Sequence, residues 1–132
     1  MIFIDASVFL AKDNLSDVHH QKALAILEDV EKDKYGSALT SDYIFNEVVG
    51  VTCRKKSKEK AIELGRKILH STSLLNINDH LLEKSWNLFI ESGFNFSLVD
   101  CTIIIVNEIL KIEFLATFDK EFKKIKEIQV VD

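Results

Sequence analysis

The chain contains no proline, only four glycines, two cysteines, and one methionine and one tryptophan. Without proline or a glycine-rich stretch, nothing reads as a linker, and no phosphate-cradling glycine loop is present. Internal repeats and low-complexity tracts are absent too, so a single domain over residues 1–132 is expected, long enough to bury a real core. Cys53 and Cys101 form no CxxC pair, which speaks against structural zinc and for a reduced, cytoplasmic protein. The first residues lack a basic segment, and Asp5 interrupts their apolar stretch, so no signal peptide is expected. The longest apolar run, Ile103–Val106, is far too short to span a bilayer. An excess of basic charge is also missing. With 17 Lys and Arg against 21 Asp and Glu, the net charge of −4 excludes whole-surface attraction to nucleic acid and leaves room only for a local basic patch.

What is there is an alternation of short apolar runs with helical periodicity. Ile2–Ile4 reads as a strand buried on both faces. A helix near Asp17–Lys32 follows, with Val18, Ala23, Leu24, Leu27 and Val30 on one face. Ala38–Thr40 is the second strand, and Ser41 or Asp42 can cap a helix running to about Arg54. Ser57 can cap another to about His70. Leu74–Ile77 is the third strand, and Asn78 opens a helix that Gly93 would end in a left-handed conformation. Ser97 caps a helix to about Leu110, Ile112–Thr117 is the fourth strand, and Ile128–Val131 closes the chain. Within the last helix, Thr102-Ile103-Ile104-Ile105-Val106 is β-branched and locally favours strand. The spacing Val99, Ile103, Val106, Leu110 and the Ser97 cap favour helix, which is the expectation adopted. Strands alternating with helices predict an α/β fold with a mainly parallel sheet.

On that map four acids stand in comparable places. Asp5 follows strand one, Glu47 lies one turn inside the helix after strand two, Asp100 opens the helix before strand four, and Asp119 follows that strand. Each has a structural use of its own. Asp5 suits a turn or helix cap, Glu47 can reach water beside Asn46, Asp100 fits a capping box with Ser97, and Asp119 can cap Lys120–Lys124. Taken together they converge, because strand ends and the helix starts that follow them share one edge of a parallel sheet. Clustered carboxylates repel one another unless cations or protons intervene, and hard oxygen ligands select Mg²⁺ or Mn²⁺. Such an ion activates water and stabilises charge on a phosphodiester.

The segments Asp5-Ala6-Ser7, Thr40-Ser41-Asp42-Tyr43 with Glu47, Ser97-Leu98-Val99-Asp100 and Thr117-Phe118-Asp119-Lys120-Glu121-Phe122 carry a resemblance. Their order and spacing resemble the PIN-domain family, and within it the VapC-type toxin branch, over essentially the whole chain. The resemblance implies a three-layer sandwich with a five-stranded parallel sheet in the order 3-2-1-4-5 flanked by helices. It also implies an Mg²⁺- or Mn²⁺-dependent endoribonuclease that hydrolyses RNA through metal-activated water. Such a protein is often a toxin neutralised by a small antitoxin, and a homodimer. Asp5, Glu47, Asp100 and Asp119 match the family's catalytic and metal-binding acidic quartet, and Ser7 and Thr117 its supporting hydroxyls.

Other features weigh less. His19 and His20 are adjacent and point in different directions on a helix, while His70 and His80 fall in unrelated segments, so no histidine metal site is expected. The run Arg54-Lys55-Lys56 is either a solvated helix end or the patch that holds RNA phosphates, with Lys120 as a further candidate. A phosphorylated receiver domain lacks its acid after strand three, and a haloacid-dehalogenase-like phosphatase lacks the second acid of its DxD. The remaining alternatives are a PIN-like module that binds RNA or protein without cutting, and a stand-alone RNA-processing nuclease.

Overall fold

The computed structural model describes Met1–Asp132. Five short strands, β1 (Ile2–Ile4), β2 (Ala38–Ser41), β3 (Ser73–Leu75), β4 (Phe114–Ala116) and β5 (Gln129–Val131), form one parallel sheet in the order β3-β2-β1-β4-β5. The helices are α1 (Ala6–Lys12), α2 (His20–Glu31), α3 (Asp42–Lys55), α4 (Lys58–Ser71), α5 (Asp79–Glu91) and α6 (Leu98–Leu110), with a 3₁₀ turn at Lys120–Lys124. β1 is fully buried because it is central: Ile2, Phe3 and Ile4 are shielded by β2 and β4 at the sides and by helices on both faces.

Chain direction distributes the helices. The crossovers β1→β2 and β2→β3 step one way along the sheet, and β3→β4 returns past β1 to its other side. Right-handed crossovers then put α1–α4 on one face and the packed pair α5 and α6 on the other. The reversal falls between β1 and β4, where a crevice opens at the carboxyl ends of the strands. Asp5 and the segment after β4 occupy that crevice.

The α/β class, the five-stranded parallel sheet and its order are as expected. The expected helices and strands are all present, with ends that shift for identifiable reasons. α6 is a helix despite its β-branched run, and Cys101–Asn107 are all buried, so tertiary burial overrides local strand preference. β3 ends at Leu75 rather than Ile77 because the Asp42 carboxylate captures the next residues: it accepts from Asn76 Nδ2 at 2.8 Å and Ile77 N at 3.0 Å. Gly93 takes no left-handed conformation, since α5 ends through Ser92 in an extended one; the left-handed residues are Asp33 and Gly36, between α2 and β2, and Lys111, after α6. β4 is shorter than Ile112–Thr117 because the chain turns away at Thr117 to bond the acid at the end of β1. The helix α1 was not anticipated. Seven residues with Ala6, Val8, Phe9 and Ala11 buried are too short to set a clear periodicity.

Candidate active site

Asp5 ends β1 and caps α1, and its carboxylate is fully engaged. Oδ1 accepts from Ala6 N at 2.7 Å, while Oδ2 accepts from Ser7 Oγ at 2.7 Å and Thr117 Oγ1 at 2.8 Å. Each hydroxyl accepts in turn from a backbone amide of the loop after β4, Ser7 from Phe118 N and Thr117 from Asp119 N, both at 3.1 Å. Two hydroxyls thus fasten the first strand to the last third of the chain and fix Asp5 and Asp119 relative to each other. Thr117 is fully buried, and buried Thr40 adds a further tie by donating to the carbonyl of Ile4 at 2.9 Å. Asp119 caps the 3₁₀ turn, accepting from Glu121 N at 2.9 Å through Oδ1.

Asp100 completes the capping box that Ser97-Leu98-Val99-Asp100 predicts. Its Oδ2 accepts from Ser97 N at 2.8 Å, and Ser97 Oγ accepts from Asp100 N at 3.1 Å. The structural use and the ligand reading coexist, because Oδ1 is left over. Glu47 differs from the other three in making no hydrogen bond within the protein, and it stands exposed at the rim. A fifth acid on the same edge, Asp42, is consumed structurally: it accepts from its own helix at Tyr43 N and from Asn76 and Ile77.

The acids sense one another. Partial loss of water around the Glu47 carboxyl, then the charges of Asp5 and Asp100, raise its pKa above the usual glutamate value. Burial raises that of Asp100; its hydrogen bonds with Ser97 oppose the rise, and the charges of Asp119 and Asp5 add to it. None of the seven ion pairs on the molecule uses any of the four acids. The cluster therefore carries uncompensated negative charge on hard oxygen donors, which fits a divalent cation. No three His, Cys, Asp or Glu side chains close on one point by themselves. Cys101, next in sequence to Asp100, is buried, and its thiol pKa is raised, so it offers no thiolate nucleophile.

The basic run divides. Lys55 and Lys56 line a cavity of about 280 Å³ that includes Ser7, the hydroxyl bonded to Asp5, but none of the four acids. Lys56 is committed to Asp13, pairing with its carboxylate at 2.9 Å and also bonding its carbonyl. Arg54 does not line this cavity and lies along its own helix near Gly50. Lys120 is exposed on the turn that Asp119 caps. A larger cavity, about 550 Å³, is elsewhere: it opens among Gly36, Ser37, His70 and Thr72 towards the amino ends of the strands and contains none of the four acids.

His19 is the residue that sequence reasoning missed. Its ring stacks on Phe118 with centroids 4.3 Å apart and planes within 8°, and both line the cavity next to the acids. Nothing local announces a partner about a hundred residues away. His20 is structural, its Nδ1 bonding the Ala11 carbonyl at 2.9 Å.

Solved structures share this architecture. VapC20 of Mycobacterium tuberculosis, a toxin that cleaves the sarcin-ricin loop, superposes with a TM-score of 0.82 at 21% identity, over 96% of this chain and 95% of that one. VapBC2 of Rickettsia felis, bound to a DNA fragment from its promoter, gives 0.75 at 17% over 98% and 97%. A toxin-antitoxin complex from Klebsiella pneumoniae gives 0.72 at 18% over 98% and 96%. No curated protein matches the sequence. The PIN domain family matches residues 2–128, nearly the full length. With its sheet order, its crevice at the switch point and this match, the chain belongs to the PIN domain family.

Proposed function

We propose that the protein is an endoribonuclease that hydrolyses RNA phosphodiester bonds with Mg²⁺ or Mn²⁺, and that it is the toxin of a toxin-antitoxin pair. The observation that carries the chemistry is the convergence of Asp5, Glu47, Asp100 and Asp119 as unpaired negative charge at the switch-point crevice. These four would hold the ion, which when bound supplies water activation and charge neutralisation at the phosphate. Ser7 and Thr117 orient Asp5, leaving its carboxylate little freedom to turn away. Loss of water and the neighbouring carboxylates raise the pKa of Glu47 and of Asp100, so negative charge is unfavourable there and a cation would relieve it. The toxin role is supported by the architecture shared with the Mycobacterium, Rickettsia and Klebsiella proteins, and it brings a small antitoxin and a homodimer as proposed partners.

RNA incubated with the purified protein should be cut in Mg²⁺ or Mn²⁺ and left intact in chelator. Glu47→Gln and Asp119→Asn should each abolish cutting while the protein stays folded. Chelator-resistant cleavage overturns the mechanism. A folded protein that binds RNA and never cuts it establishes the non-catalytic module instead, and cleavage with no antitoxin partner establishes a stand-alone processing nuclease.

A further inference from the structure

We propose that the cavity between α1, α3 and the loop after β4 is a nucleobase pocket, which seats the base of a nucleotide next to the cleaved phosphate and favours bases with an exocyclic amino group. The inference rests on the ribonuclease reading of the acidic centre and goes beyond it. Four observations meet here. Ser7 lines the cavity and its hydroxyl also bonds Asp5 and Phe118 N, so the occupant lies one side chain away from Asp5. Its wall carries the parallel His19–Phe118 plate, a surface on which a further planar ring can stack. Its volume of about 280 Å³ suits one ring system and is too small for a peptide helix. Its charges are sorted. Lys55 joins none of the ion pairs, while Asp13 and Asp17 stand on the wall.

That sorting decides which part of a nucleotide enters. A phosphate would meet the Asp17 carboxylate, which joins no ion pair, and an Asp13 already paired with Lys56, so Lys55 is the lining lysine left to hold it. An uncharged base meets aromatic rings and acceptors instead. Asp17 has one oxygen committed, accepting from His19 N at 2.8 Å, and Asp13 has one committed to Lys56. Each retains an oxygen that can accept from the amino group of adenine, guanine or cytosine, and both are acceptors only, which disfavours the carbonyl that uracil presents in that place.

The test is equilibrium binding of labelled RNA hexanucleotides in Mg²⁺ by the Glu47→Gln protein, whose RNA stays uncut, with an abasic or uracil nucleotide stepped along an oligoadenylate. One position is expected to be sensitive, with an abasic residue there weakening binding about tenfold. Adding Phe118→Leu or His19→Leu should remove that sensitivity while leaving the other positions unchanged, which a merely structural stack would not do. Lys55→Ala should lower affinity at every position and reduce the salt slope by about 0.7. Uniform abasic effects, or a sensitive position that survives both aromatic replacements, overturn the pocket and leave the nuclease reading intact. Failure of wild type to cut RNA in either metal overturns the nuclease reading separately.

Discussion

At the scale of single residues, the acids divide by how much structural work each performs. Thr117 donates to Asp5, accepts from Asp119 N and is fully buried, so Thr117→Val leaves two charged or polar groups short of partners. We expect a loss of roughly 1.5–3 kcal/mol in a denaturant melt and about 10–100-fold in metal affinity or cleavage. Asp100→Asn keeps an acceptor for Ser97 N, so it should cost on the order of 1 kcal/mol or less while cleavage is lost. Glu47 has no bond to lose, and its charge is unfavourable in the metal-free protein. Its folded pKa is raised, so the native state holds its proton more tightly than the unfolded chain. The resulting penalty is present above the folded pKa, shrinks as pH falls through it, and vanishes below the unfolded value near 4.3. In chelator, Glu47→Gln should melt above wild type at pH 7, and the gap should close by about pH 4. A gap that widens on acidification would contradict the electrostatic account of the cluster.

At the scale of elements, α6 bears the sharpest conflict between local preference and tertiary setting. It was legible as a helix because its cap and its long-range spacing outvoted five β-branched residues, and the burial of Cys101–Asn107 shows why those residues are there. One of its buried residues is poorly served: Asn107 Nδ2 donates to the Ile103 carbonyl at 2.8 Å, but its Oδ1 has no partner. Asn107→Leu should therefore raise stability by about 1 kcal/mol, a shift of a few degrees in Tm. The parallel α/β class was readable from the alternation of strands and helices, the sheet order only through the family resemblance, and the acids from their places after a strand or at the helix start beside it. The helix α1, the end of β3 and the His19–Phe118 stack were not. α1 is too short to carry a period, β3 is trimmed by a side chain from another element, and the stack joins residues 19 and 118 through folding alone. Local rules do not encode such long-range partners.

At the scale of the whole molecule, net charge and site charge pull in the same unfavourable direction for the proposed RNA substrate. The chain carries −4, and the crevice adds unpaired carboxylates to it. Affinity then depends on bound cations and on the few lysines at the rim, so binding should rise with Mg²⁺ far more than screening by an equal ionic strength of Na⁺ can produce. A filter-binding titration in the two salts checks this. Cation binding should also stabilise the fold by about 2.7 kcal/mol at a hundredfold excess over Kd. The bonds from Ser7 and Thr117 to Asp5 bear on synthesis as well. Thr117 lies 112 residues beyond the acid it orients, and β4, the strand that flanks β1 on that side, ends only one residue before it. During synthesis Asp5 therefore waits for the segment after β4 before Thr117 can fix its carboxylate and Asp119 can stand beside it. On the proposed reading, a chain released before Thr117 should carry the first acid without the threonine that orients it, and so lack the centre.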